Sequence, residues 1–208
     1  MNAVLRQIDA VNAAHPWSHN DHYLRWVLRQ VPPGARRALD VGCGTGTLLR
    51  ALAAVVPQTE GIDRDARVAG LAGARVAGLF DLAPVPAYDV VTAVAVLHHL
   101  PLRPALERLR ALVRSGGRLV VVGCYRASTP ADHAVGLAAI PANLLVGLVR
   151  STGTAPAGMS AAVAPATETL PQIRAAARTL LPGARIRRRL FWRYTLTWTA
   201  GGPGSAGG

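Results

Sequence analysis

The chain has 208 residues, half of them hydrophobic, which is enough to bury one sizeable core and too few for a second independent one. Its formal charge of +12 ordinarily points to nucleic acid or an anionic membrane. All 23 basic residues are Arg, however, and with the abundant Ala this looks like a GC-rich coding bias, because phosphate contacts usually draw on Lys as well. Residues 1 to 16 lack a basic stretch followed by an apolar one, so no signal peptide is expected. In NAAHPWSHNDHYLRWVLRQVPPG, Asn20 or Asp21 is placed to cap a helix carrying Tyr23, Leu24, Trp26, Val27 and Leu28. Trp17, His19 and His22 are candidate substrate contacts, and helix capping and core packing explain each of them equally well.

Residues Ala38 to Leu49 read ALDVGCGTGTLL, a buried-strand run followed by Gly42, Gly44 and Gly46 and then a helix start at Thr47, Leu48 and Leu49. A dinucleotide fingerprint, G-x-G-x-x-G, requires glycine or alanine at position 47. Thr stands there, and the turn reads G-x-G-x-G. Such turns also occur as plain connectors, so the context decides. A helix pattern runs through Leu48, Leu49, Leu52, Val55 and Val56 to Pro57, and the next strand ends in Gly61-Ile62-Asp63. Asp63, seventeen positions after Gly46, is placed to accept hydrogen bonds from both ribose hydroxyls of a nucleoside; a solvated strand-end acid is the plain alternative.

A third segment, Ala74 to Pro84, ends its apolar run at Asp81 and Leu82. Next, Val90, Val91, Ala93, Val94, Ala95 and Val96 form a near-continuous apolar run, as in a strand buried on both faces, which ends at His98 and His99. A helix over PLRPALERLRALVRSGG is expected to stop at Ser115-Gly116-Gly117, with a fifth strand from Arg118 to Tyr125. The β-α-β rhythm over residues 36–125 makes this an α/β chain with a parallel sheet covered by helices on both faces.

The glycine turn resembles the first motif of the class I S-adenosylmethionine-dependent methyltransferases, and the strand ending in VLHHL is similar to their fourth, with Asp89 where that motif usually has its own acid. The likeness is strong over residues 36–125 and loose elsewhere. It implies a Rossmann-like, doubly wound, mostly parallel seven-stranded sheet of order 3-2-1-4-5-7-6, with an N-terminal helix and a lid insertion after strand 5. It implies S-adenosylmethionine as cofactor, held by Asp40, Gly42, Cys43, Gly44, Gly46, Asp63, Arg64 and Val94. Asp81 would take the adenine amino group, the Leu82 amide a ring nitrogen, and Tyr23 the cofactor carboxylate.

Methyl transfer from a sulfonium is an in-line displacement that needs positioning, worth roughly 7 to 11 kcal/mol, and no protein nucleophile. A hydroxyl acceptor gains on the order of a hundredfold from a base near neutrality. His98 or His99 is the candidate for that catalytic role, unless both serve shape alone. Arg126 and His133 join Trp17 and His19 as candidate substrate contacts.

Residues 126–168 are long for a connection and read as a lid, whose apolar residues suit an apolar or aromatic substrate; a dimer face is the alternative, so monomer and homodimer both stay open. Its longest apolar region, Ala134 to Val149, is interrupted by Pro141 and Asn143 and is too short to span a bilayer. A last helix is expected from Thr169 to Pro182-Gly183. Beyond it, alternation places Ile186, Leu190, Trp192, Tyr194, Leu196 and Trp198 on one side of a half-buried strand pair. Arg185, Arg187, Arg188 and Arg189 form a solvated face or an acidic-substrate or RNA surface. Residues 1–200 are expected to form a single domain, with 1–33 as an N-terminal cap and 201–208 a disordered tail.

Two cysteines, Cys43 and Cys124, are too sparse for a disulfide framework and show no metal-ligand spacing, so a reduced, cytoplasmic protein without a metal is expected. The expected activity is methylation of a small, apolar or aromatic acceptor, with neither nucleic acid nor membrane as partner. The alternatives are an RNA methyltransferase using the Arg face and a cofactor-binding protein without transferase chemistry. No NPPY-type tetrapeptide follows the fourth strand, which speaks against a nucleobase amine.

Overall fold

Val90, Val91 and Ala93 are fully buried in β4 (Tyr88–Val94) because that strand runs through the middle of a seven-stranded sheet with side chains packed on both faces. The computed structural model describes residues 22–132, 134, 135, 139, 165–190 and 192–201. Around β4 stand β1 (Arg37–Val41), β2 (Gln58–Asp63), β3 (Arg75–Val76), β5 (Val113–Cys124), β6 (Arg185–Arg189) and β7 (Arg193–Thr199). Their order is β3-β2-β1-β4-β5-β7-β6, as the resemblance implies. β1 to β5 pair in parallel, and β7 enters antiparallel between β5 and β6.

The flanking helices are α1 (Leu24–Leu28), α2 (Thr47–Ala53), α3 (Ala66–Ala72), α4 (Leu102–Leu112) and α5 (Leu170–Leu180). In α4, Ala105, Leu106, Leu109 and Leu112 recur at helical spacing, and in α5 Leu170, Ile173, Ala177 and Leu180 do the same. Those two stripes cover one sheet face, against Leu39, Val91, Leu119, Val121 and Leu196. On the other face Tyr23 and Val27 pack with Ala38, Val90, Val120 and Val122. α5 starts where expected: the Thr169 hydroxyl accepts from the Gln172 amide, and the Gln172 side chain accepts from the Thr169 amide, a reciprocal cap.

Several boundaries differ from the sequence reading. α4 ends at Leu112, and Ser115-Gly116-Gly117 lies inside β5, where the register against β4 shifts between Tyr88 and Val90. The glycines serve that bulge instead of a helix stop: Gly116 has φ +76°, and a Cβ on Gly117 would lie 2.9 Å from the carbonyl oxygens of Tyr88 and Arg114. α2 ends at Ala53, leaving Val55 exposed while Val56 is buried. β4 ends at Val94, so His98 and His99 sit on a following 3-10 turn, Leu97–His99. α1 has Tyr23 at its N-cap with no side-chain capping bond; Asn20 and Asp21 lie outside the described residues.

Leu190 and Trp192 also depart from the expected alternation. β6 stops at Arg189 and β7 begins at Arg193, so both residues belong to the turn between them and are exposed. The carboxyl ends of β1, β2, β4 and β5 share one edge of the sheet. The pairings of Arg193 with Cys124 and with Arg189 bring the β6–β7 turn to that same edge.

Candidate active site

Gly42, Gly44 and Gly46 have φ values of 65°, 52° and 82°, a left-handed run that L side chains resist. Space restricts the turn further: a Cβ on Gly42 would lie 2.4 Å from Val96 Cγ2. At Gly44 the corresponding position has no atom within 4 Å, so the middle of the turn borders open space. The amides of Gly42 and Cys43 donate to the Ile62 carbonyl, at 2.8 and 3.0 Å. Asp63 then closes the cradle, its Oδ2 accepting from the Gly44 amide and its Oδ1 from the Asp65 amide, both at 2.9 Å.

Beneath the turn, Asp40 is 2% exposed and accepts a 2.7 Å hydrogen bond from Thr92 Oγ1. Burial pushes its carboxyl up to about 7, opposed by the Thr92 bond and assisted by the Asp63 charge. A carboxyl with a raised folded pKa binds a proton that the unfolded chain releases near pH 4, so stability falls as pH rises from about 4 to 7. Asp40→Asn is expected to flatten that slope, worth up to about 4 kcal/mol at 1.36 kcal/mol per pKa unit. Melting temperatures of both forms across that pH range check this; parallel curves would refute it. Cys43 is also buried, and burial holds its thiol up at about 12, which makes it a packing group.

The end of β2 gathers a second set. Ala77 donates to the Asp63 carbonyl, and a Cβ on Gly78 would lie 3.4 Å from Arg64 Cδ and 3.3 Å from Asp81 Oδ2. The exposed Asp81 carboxylate accepts from the Gly78 amide at 2.7 Å. Leu82 is buried, and its carbonyl accepts from Arg108 Nη1.

At the end of β4, Val94 is half-buried and Ala95 takes φ +57° without being glycine, its amide held by the Val122 carbonyl at 2.7 Å. His98 follows, with its ring centroid 4.0 Å from that of the exposed His99. Its buried Nδ1 has no hydrogen-bond partner among the described residues. Burial, followed by the charges of His99 and Arg193, pulls the imidazole down to about 4, so the ring is neutral at physiological pH.

At the far end of the edge, the Tyr23 hydroxyl donates to the Leu190 carbonyl at 2.8 Å. Burial raises that phenol to about 12 against the charges of Arg189 and Arg193. Arg189 lies 5.7 Å from the Trp26 ring centroid and donates through Nε to Thr195 Oγ1 at 3.1 Å.

A methyltransferase domain family matches residues 13–142. An uncharacterized methyltransferase of Mycobacterium bovis is 35% identical over 207 residues, covering 89% of this chain and 98% of that protein. The chain belongs to the class I S-adenosylmethionine-dependent methyltransferases. A ubiquinone biosynthesis O-methyltransferase of Xanthomonas axonopodis is 34% identical over 126 residues, 54% of this chain and 52% of its own. The magnesium protoporphyrin IX methyltransferase of Synechocystis, solved with S-adenosylhomocysteine, has a TM-score of 0.56 at 19% identity, over 96% of this chain and 88% of that one. The geranyl diphosphate C-methyltransferase of Streptomyces coelicolor gives 0.59 at 11% identity, over 86% and 77%. At these identities the likeness concerns the fold.

In this methyltransferase the sequence reading missed one buried cluster. Asp132 is fully buried; its Oδ2 accepts from the amides of Ser128 and Thr129, at 3.0 and 2.9 Å, and its Oδ1 lies 2.8 Å from Arg188 Nη2. Asp132 is the one acid between Glu107 and Glu168, facing an Arg run, and that isolation was the available signal. Arg188 is therefore taken out of the solvated basic face expected for it. Arg126 donates through Nε to the Thr167 carbonyl and through its amide to the Glu168 carbonyl, bracing the two ends of the insertion. Trp17, His19 and His133 lie outside the described residues. Two clefts, of about 650 and 350 Å³, open at the opposite edge of the sheet, beside Pro33 and Val55 and beside Arg118 and Arg185. Among the described residues no helix is long and apolar enough to cross a membrane.

Proposed function

We propose that this methyltransferase transfers the methyl of S-adenosylmethionine to a small acceptor with an apolar or aromatic body. The observation that carries the reading is the Asp63–Gly44 contact: it fixes a carboxylate beside backbone that borders open space. A carboxylate has about four lone-pair sites, and the Gly44 and Asp65 amides take two, leaving capacity for a pair of ribose hydroxyls. Gly42, Cys43 and Gly46 hold that turn, Asp40 supports it from below, and Arg64, Asp81 and Leu82 stand where an adenine would lie. Val94 borders the next position, and Tyr23 closes the edge. When bound, the cofactor supplies an electrophilic methyl on an excellent leaving group.

His98 stands past the end of the next strand along, with a neutral, half-buried ring. Its proton affinity is too low to hold a proton firmly at neutral pH, so it acts by accepting a hydrogen bond from the acceptor and orienting it. The likeness to ubiquinone biosynthesis O-methyltransferases favours oxygen as the methylated atom. RNA as acceptor keeps the exposed Arg185 and Arg187 and the half-buried Arg189 of the basic run, since Arg188 meets Asp132. The free thiols Cys43 and Cys124 suit a reducing, cytoplasmic compartment.

Incubation with S-adenosylmethionine and a metabolite extract is expected to give one small compound heavier by a methylene, with S-adenosylhomocysteine formed in step. His98→Ala should slow that turnover by roughly tenfold or more, with unchanged affinity for S-adenosylhomocysteine, whereas His99→Ala should not slow it. Equal turnover in both variants would remove His98 from the mechanism.

A further inference from the structure

The β6–β7 turn breaks the usual chemistry of a hairpin. Arg189 and Arg193 close it as a pair with three positions between them, of which Leu190 and Trp192 are described. The last position of such a loop is normally left-handed and is filled by glycine or asparagine. Trp192 occupies it at φ +54°. Trp192 and Leu190 are 41% and 42% exposed, so the strain is not offset by burial of either side chain. Local choices that fight the fold concentrate where a protein binds something.

The position of the turn indicates what is bound. It stands at the carboxyl edge, beside Cys124 of β5 and bonded to Tyr23, with β5 between it and the strand that leads to His98. The charge of Arg193 is felt at His98, Cys124 and Tyr23. Arg188, on the opposite face of β6, is met by the buried Asp132. Arg189 differs: among the described residues its contacts are the Thr195 hydroxyl and the Trp26 ring, both neutral. A half-buried guanidinium against an aromatic face, with its charge left uncancelled, is ready to donate to a carboxylate.

We infer that the β6–β7 turn is the acceptor-recognition element and that the acceptor is an amphiphilic acid, its anionic group held by Arg189 and its apolar body laid on Leu190 and Trp192. This rests on the methyltransferase function proposed above.

The test uses the full chain saturated with S-adenosylhomocysteine and three probes of equal length: octanoate, 1-octanol and octylammonium. Octanoate should bind roughly tenfold or more tightly than the other two. Arg189→Gln should abolish that preference while leaving octanol unaffected, and Trp192→Gly should weaken octanoate and octanol alike. Trp192→Gly should melt no lower than wild type, since glycine relieves the left-handed strain, so its loss of binding cannot be a folding defect. Affinity for S-adenosylhomocysteine, measured on the same samples, reports on the donor site separately and should stay unchanged in both variants. Probes bound equally by wild type and both variants, with S-adenosylhomocysteine still bound, would overturn the inference and leave the proposed function standing. Joint loss of probe and S-adenosylhomocysteine in both variants would overturn it too, as would Trp192-dependent sedimentation with phosphatidylglycerol vesicles without a preference for octanoate.

Discussion

Asp63→Ala is expected to weaken the binding of S-adenosylhomocysteine by about a hundredfold or more, measured by calorimetric titration beside the wild type. Two hydroxyl hydrogen bonds to a charged acceptor are worth roughly 1.5 to 3 kcal/mol each, which already exceeds that factor. The variant also releases the Gly44 amide, which Asp63 Oδ2 holds at 2.9 Å, so the turn loses its tie to β2 at the point where it borders open space. Asp63→Asn keeps an oxygen for that amide and loses the charge, and should fall in between, at roughly tenfold. Unchanged affinity in the Ala variant, or no binding by the wild type, would refute the placement of the donor.

Asp132→Ala should be the most destabilising of the substitutions considered. The carboxylate has no exposed surface, accepts from two backbone amides and faces Arg188, whose side chain is 25% exposed. Removing one partner of a buried pair leaves the other charge uncompensated, at a cost of about 3 to 5 kcal/mol. For a domain of this size that is a drop in melting temperature of about 6 to 20 °C. Arg188→Leu in the same chain should recover most of it, because the stranded charge is then gone. A double variant as unstable as the single one would locate the effect in the amide bonds alone. Acid should act in the same direction. Burial alone would raise the Asp132 carboxyl, but the Ser128 and Thr129 bonds and the Arg188 charge outweigh it and hold it below the usual range. Its contribution is therefore complete above about pH 4 and disappears as pH falls through the lowered value.

The sheet was legible because its evidence is local. Buried parallel strands need unbroken apolar runs, and the glycine turn needs its residues at fixed spacing, so ALDVGCGTG and the run from Val90 to Val96 announced themselves. The strand order came from the resemblance, which those same residues carried. Boundaries were harder where one residue type serves two purposes. Gly116 and Gly117 look like a helix stop, and only the approach of the Tyr88 and Arg114 carbonyls shows that they make a bulge. The alternation through Leu190 and Trp192 reads as a continuous strand because no glycine or proline marks the turn, and the left-handed Trp192 breaks it unannounced. The Asp132–Arg188 pair spans 56 positions, and nothing in local periodicity reports a partner that far away.

The insertion of β7 between β5 and β6 bears on how the chain is made. β5 has no neighbour on that side until residues 193–199 exist, so a growing polypeptide that has completed Cys124 carries a bare edge along Leu119 to Val122, whose side chains are fully buried once the sheet is complete. At ribosomal speeds of roughly 5 to 20 residues per second, that edge waits several seconds for its partner. The nascent chain is at its most adhesive in that interval, and a ribosome stalled within it would release a product prone to pairing with its own kind.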